Sequence, residues 1–220
     1  MDIEANVREV HRRIARACER SHRLPGEITL VVVTKEVGIS AIRAAFECGI
    51  RDFGENRVQE AENKIAQLSD LKPEVTWHMV GHLQSNKAKT AIELFDIIHS
   101  VDSIKLAEIL SRRLEKTLTV LLQVNVSGEA TKGGFAINEV GAAVEEIRQL
   151  PNLKVLGLMT IAPLVADIEE TRPVFRKLRE LRDSLGLEHL SMGMTDDFEV
   201  AVEEGATMLR IGRAIFGDRR

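Results

Sequence analysis

Tyrosine is absent from the 220-residue chain, so no phenol is at hand for proton transfer, and any acid or base must be another residue type. Cysteine is nearly absent. Cys18 and Cys48 stand thirty residues apart without a CxxC pair, which excludes a disulfide framework and a zinc site and reads as reduced structural thiols. A cytoplasmic location is expected from that usage. Long apolar runs are missing too: stretches such as 30–33 fall far short of the roughly 18 to 20 residues of a membrane span. No excess of one charge exists either, with 30 Lys and Arg against 34 Asp and Glu, a formal net charge of -4, and the signs interspersed. That leaves no electrostatic footprint for nucleic acid. Asp2, Glu4, Glu9 and Glu19 interrupt the arginines at the N-terminus, against a transit peptide, and no apolar segment suits a signal peptide. Linkers rich in Pro, Gly or Ser, internal repeats and low-complexity tracts are lacking, so residues 1–220 are expected to form one domain and to act as a monomer without membrane or nucleic-acid partners.

What is present is regular alternation. Ile3, Val7, Val10, Ile14 and Ala17 recur at three- and four-residue steps, the stripe of an amphipathic helix over 3–20 with no strand before it. From Glu27 onward, short aliphatic runs alternate with helical patterns that end at Gly49, Gly186 and Gly205. Strands are predicted over 28–33, 51–53, 76–80, 97–100, 119–125, 154–158, 188–191 and 207–211. Eight strand–helix units at this length close most naturally as a (β/α)8 barrel of the TIM type, with the leading helix taking the last outer position.

A parallel barrel builds its site at the C-terminal ends of its strands, so the informative residues are those just after each run. Lys35 ends the first strand, Leu30-Val31-Val32-Val33-Thr34. It reads either as a solvated lysine at the barrel mouth or as an amine that attacks a carbonyl to form a Schiff base. After the last strand, Arg210-Ile211-Gly212-Arg213 stands where barrels often bind phosphate on backbone N–H groups, and the loop Ser191-Met192-Gly193-Met194-Thr195 adds a hydroxyl from the same side. Two ordinary turns needing glycine are the alternative. Asp196, Asp197 and Glu199 read as first-turn acids behind an N-cap, and Asn56 with Gln59 reads as a helix N-cap, a ligand contact at Asn56 being an additional hypothesis. His78 and His82 are four apart but flank a strand end, with no third ligand, so no metal site is expected. The glycine-rich stretch 128–134 lacks the order of a phosphate loop, and no G-x-S-x-G elbow occurs.

Taken together, Val33-Thr34-Lys35, Phe53-Gly54-Glu55-Asn56, Trp77-His78-Met79-Val80-Gly81-His82-Leu83-Gln84-Ser85-Asn86-Lys87, Gly157-Leu158-Met159, Ser191-Met192-Gly193-Met194-Thr195-Asp196-Asp197 and Arg210-Ile211-Gly212 follow in one order. A chain with these motifs in register resembles the pyridoxal phosphate homeostasis proteins, from about residue 3 to Gly217. The resemblance implies a barrel akin to the N-terminal domain of alanine racemase and pyridoxal 5'-phosphate (PLP) as cofactor, linked covalently to Lys35. It further implies phosphate contacts from Ser191, Gly193, Gly212 and Arg213, and Arg210 facing the pyridine nitrogen. Two departures stand out. Family members often read Ser-Lys-Thr-Lys-Pro at the lysine, whereas this chain has Thr34-Lys35-Glu36-Val37-Gly38 and lacks the second amine, and Arg213 replaces a frequent threonine.

A two-base racemase on this barrel needs a tyrosine opposite the lysine, usually from a second domain. This chain has neither, and an arginine at the ring nitrogen weakens the ring as an electron sink. The reading is therefore a non-enzymatic carrier that buffers PLP and regulates vitamin B6 supply, with apo forms of PLP-dependent enzymes as recipients. An amino-acid racemase is the alternative, and a lysine-dependent aldolase on a sugar phosphate a third reading from fold analogy alone.

Overall fold

Short β-branched runs set the strands. In the computed structural model, which describes residues 2–129 and 132–217, these are β1 (Thr29–Val33), β2 (Asp52–Glu55), β3 (Thr76–Met79), β4 (Ile97–Val101), β5 (Leu118–Asn125), β6 (Phe135–Ala136), β7 (Leu153–Met159), β8 (His189–Ser191) and β9 (Met208–Ile211). Their order is β4-β3-β2-β1-β9-β8-β7-β5, every neighbouring pair is parallel, and β5 pairs back onto β4, so eight strands close into a barrel. All eight predicted strands are present. The ninth, β6, is a two-residue addition beside the end of β5, too short to carry a periodic pattern.

Around the barrel lie α2 (Ile39–Glu47), α3 (Val58–Gln67), α4 (Ala88–Leu94), α5 (Ile104–Ser111), α6 (Val140–Arg148), α7 (Arg172–Ser184), α8 (Phe198–Glu203) and the single turn α9 (Arg213–Phe216). The leading helix α1 (Ile3–Arg20) opens on Asp2, whose side chain accepts from Ala5 N at 2.9 Å, and buries Val7, Val10, Ile14, Ala17 and Cys18. That stripe packs against α2, α8 and α9, filling the outer ring as expected. Gly49, Gly186 and Gly205 end their helices with φ of +90°, +61° and +96°. No helix among the described residues is long and apolar enough to cross a membrane.

Two capping expectations are corrected. Helix α3 starts from Arg57 without a side-chain cap, so Asn56 lies outside the helix and makes no capping box with Gln59. Asp197, rather than Thr195, takes the N-cap position of α8, and its Oδ1 accepts from Met194 N at 2.6 Å. Asp196, outside the helix, pairs with Arg213, while Glu199 does stand in the first turn of α8, where it also pairs with Arg13 at 2.9 Å. In the glycine-rich stretch, Ala130 and Thr131 lie outside the described residues; its near end is tied down by Asn125, which accepts from Gly128 N at 3.1 Å.

Candidate functional site

At the C-terminal ends of β1, β8 and β9 the loops enclose a cleft of about 1170 Å³ lined by Lys35, Asn56, Thr195, Arg210, Gly212 and Arg213, with apolar walls from Val33, Val80 and Ile161. The parallel strands deliver these residues together although they are distant in sequence. Lys35, half-buried, is the second residue past β1, and the loop carrying it is fixed from below. Lys64 on α3 donates to Thr34 O at 2.5 Å, and Glu60 accepts from Glu36 N at 2.5 Å, so the peptides on either side of Lys35 are both held. Lys64 also bridges Glu60 (2.5 Å) and the fully buried Glu55 (2.8 Å), whose Oε1 accepts from Thr34 Oγ1 as well. Burial pushes the Glu55 carboxyl above its ordinary range, although both donors favour its anion.

The loops after β8 and β9 meet across the cleft. Gly212 precedes α9, and a Cβ there would lie 2.9 Å from Val33 O, so only glycine leaves the backbone free to sit this close to β1. Thr195 Oγ1 accepts from Ala214 N at 3.3 Å, joining the two loops, while the Arg213 guanidinium pairs with Asp196 at the rim. Ser191 and Gly193 are not among the lining residues. Ser191 is the last residue of β8 and is fully buried, with its hydroxyl engaged inside the barrel, and a Cβ on Gly193 (φ +93°) would lie 2.6 Å from Ala201 Cβ. Gly193 is thus required by packing against α8. Of the hydroxyls in the loop Ser191–Thr195, that of Thr195, four residues past the end of β8, lines the cleft.

Arg210, 5% exposed, reaches the cleft from β9. Its Nη2 donates to Thr160 O at 2.7 Å and its Nη1 to Ser191 Oγ at 2.6 Å. Burial lowers its pKa to about 10, with the charge of Asp197 acting the other way, so it is a cation at neutral pH. His78 and His82 do not converge: His78 contacts Asp52 and His99, each at 2.9 Å, whereas His82 Nδ1 lies 3.1 Å from Asp102 Oδ2.

His99, fully buried, has its pKa driven well down by burial, reinforced by His78 and Arg210. The unfolded ring takes a proton near pH 6.5 and the folded ring does not. Below that point the unfolded state binds more protons, so stability falls as pH drops from 7 to 5, by at most about 2 kcal/mol from this ring. His11 and His189, also lowered by burial, act in the same direction. Urea unfolding of the protein and of His99→Gln at both pH values isolates the contribution. The variant is expected to show the shallower dependence, and equal slopes would refute it.

Fold and cleft define a PLP-barrel protein: residues 3–220 match the family of the alanine racemase N-terminal domain. Within that class the chain belongs to the pyridoxal phosphate homeostasis proteins. It is 46% identical over 229 aligned residues to the pyridoxal phosphate homeostasis protein of Aquifex aeolicus, with all of each chain covered. Among solved structures it is similar to PipY of Synechococcus elongatus with PLP bound, at 42% identity and a TM-score of 0.80, covering 93% of this chain and 100% of that one. Alanine racemase from Corynebacterium glutamicum, 17% identical with a TM-score of 0.68, shares the fold over 99% of this chain and 61% of its own length.

Proposed function

We propose that the protein binds PLP through a covalent carbon–nitrogen link at Lys35 Nζ and serves as a non-enzymatic keeper of this cofactor, releasing it to apo-enzymes or other amines in the cytoplasm. The observation that carries the reading is the convergence of Lys35, Arg210 and the Thr195–Gly212–Arg213 rim on one cleft. PLP would supply an aldehyde that condenses with a primary amine, one water leaving, and whose carbon can pass to a second amine as the first amine leaves. Lys35 provides the amine on a loop held at both flanking peptides. Arg210, which has donors only, would meet the ring nitrogen and leave it without a proton. The backbone at Gly212 and Arg213, the Thr195 hydroxyl and the Arg213 guanidinium would hold the phosphate, and Asn56 also lines the cleft. Ser191 and Gly193 support these groups from behind.

The non-enzymatic half of the proposal rests on the missing phenol, since no tyrosine exists to serve the second face of a substrate carbon. Borohydride reduction of the purified protein followed by peptide mapping is expected to find the pyridoxyl group on Lys35. A label on Lys87 or Lys132 with Lys35 clean would overturn the assignment. Incubated with L-alanine or L-serine in heavy water, the protein is expected to give no Cα exchange at an enzymatic rate, and turnover on the order of 1 per second would establish a racemase instead.

A further inference from the structure

Behind the cleft, five polar side chains cross the barrel interior in one unbroken line. Arg210 Nη1 donates to Ser191 Oγ at 2.6 Å; Ser191 Oγ lies 2.7 Å from His99 Nδ1, His99 Nε2 lies 2.9 Å from His78 Nδ1, and His78 Nε2 lies 2.9 Å from Asp52 Oδ1. Strands β9, β8, β4, β3 and β2 supply one residue each. Ser191, His99 and His78 are fully buried, while Asp52, the first residue of β2, keeps 28% of its side chain exposed.

Donor chemistry gives this line a direction. A guanidinium has no acceptor, so the first bond runs from Arg210 to Ser191. The Ser191 proton then finds its acceptor at His99 Nδ1. A neutral ring accepting at Nδ1 carries its proton on Nε2, which donates to His78 Nδ1, and His78 in turn donates from Nε2 to the Asp52 carboxylate. The opposite polarity fails at two places: it leaves the Ser191 proton without an acceptor in the line, and it sets a bare His78 Nε2 against a carboxylate oxygen. Protonating His99 instead meets the cost of a buried charge in the field of Arg210. The remaining charges nearby are Asp197, which attracts Arg210, and His189, which acts on His99; neither stands in the line.

We propose that Asp52, His78, His99 and Ser191 are positioning residues: a one-way hydrogen-bond relay from Arg210 to Asp52 that holds the guanidinium in a single orientation against the cofactor ring. This rests on the placement of that ring beside Arg210. The relay joins a buried cation to a carboxylate at the other end, and each bond in such a chain polarises the next. The arginine is thereby kept a donor toward the cleft, and the ring nitrogen stays unprotonated.

Two measurements test it. In the cofactor-free protein, 15N–1H correlation spectra of the imidazoles are expected to show His78 and His99 neutral, each with its proton on Nε2; a proton on Nδ1 of either ring, or a doubly protonated ring, would overturn the relay. Ser191→Ala is then expected to weaken PLP and pyridoxal by the same factor, about tenfold, the lower end of what a hydrogen bond to a charged group contributes. A loss confined to the phosphorylated ligand would make Ser191 a phosphate contact and sink the proposal. Should Ser191→Ala fail to fold, Asp52→Asn probes the far end. It is expected to shift the His99 ring signals, which residue 52 does not touch, and Asp52→Glu to restore them. An unmoved His99 would show that the line is not coupled. Failure of the native protein to bind PLP would refute the cofactor reading, while the spectra of the cofactor-free protein would still decide the relay.

Discussion

PLP is expected to bind at least a hundredfold more tightly than pyridoxal, which keeps the aldehyde and lacks the phosphate. A carrier has to retain its cargo while the bond to Lys35 is open, so the affinity must reside in contacts that survive that opening. The groups at hand are the backbone at Gly212 and Arg213, the Thr195 hydroxyl and the Arg213 guanidinium, all on loops whose geometry is set before the ligand arrives: Thr195 is bonded to Ala214 N, and Gly212 lies against β1. Charge-assisted hydrogen bonds contribute roughly 1.5 to 3 kcal/mol each, and two of them account for a hundredfold or more. Asp196, paired with Arg213, acts against a dianion and moderates the gain. Titration calorimetry should use pyridoxal and its phosphate alongside 4'-deoxypyridoxine and its phosphate, which have no aldehyde. The phosphate factor is expected in both pairs. Gly212→Val should shrink it in both, because a side chain at that position meets Val33 O. Equal affinities with and without phosphate would show that these loops do not hold it.

The barrel was legible in the sequence because its strands are buried on both faces and its helices on one, so that continuous aliphatic runs and three- and four-residue stripes alternate without ambiguity. Lys35, Gly212 and Arg213 follow from a positional rule, that residues past the ends of parallel strands face the site, and the cleft holds all three; Arg210 reaches it from inside β9. Ser191, the last residue of β8, lies deeper, with its hydroxyl bonded to His99 and Arg210. A three-residue strand has no slack, and whether its last side chain turns inward or upward depends on register with β7 and β9, which periodicity does not contain. Asn56 was assigned to a cap for a similar reason: N-cap preference is local, whereas the start of α3 at Val58 is decided by the packing of Val58, Ala61 and Ile65 on the barrel. The interior line from Arg210 to Asp52 left no trace at all, since its members come from five strands and each looks alone like an ordinary core polar residue.

Lys64→Met is expected to destabilise the protein by about 3 to 5 kcal/mol at neutral pH, the range for removing one partner of a buried ion pair. Methionine keeps most of the hydrocarbon stem, so the loss falls on three contacts: the bonds to Thr34 O, Glu55 Oε1 and Glu60 Oε1. Glu55 bears the main consequence. It is fully buried, its Oε2 has no hydrogen-bond partner among the described residues, and burial already raises its pKa with Lys64 in place. Without the ammonium that rise grows, and the folded variant takes up a proton that the unfolded chain, with an ordinary carboxyl near 4.3, does not. A group whose pKa is raised on folding stabilises below its unfolded value and loses that contribution as pH increases. The defect of Lys64→Met is therefore expected to be largest at pH 8 and to narrow toward pH 5, as measured by urea unfolding. Adding Glu55→Gln should recover part of the loss at pH 8 and flatten the pH dependence, because it removes the charge that was left uncompensated. The same ammonium holds the carbonyl before Lys35, and Glu60 holds the amide after it, so the variant should also capture PLP more slowly at that lysine under conditions where it remains folded. A stability loss without any change in capture rate would assign Lys64 to the core alone. Unchanged stability at every pH would mean that Glu55 and Lys64 do not form a charged pair in solution.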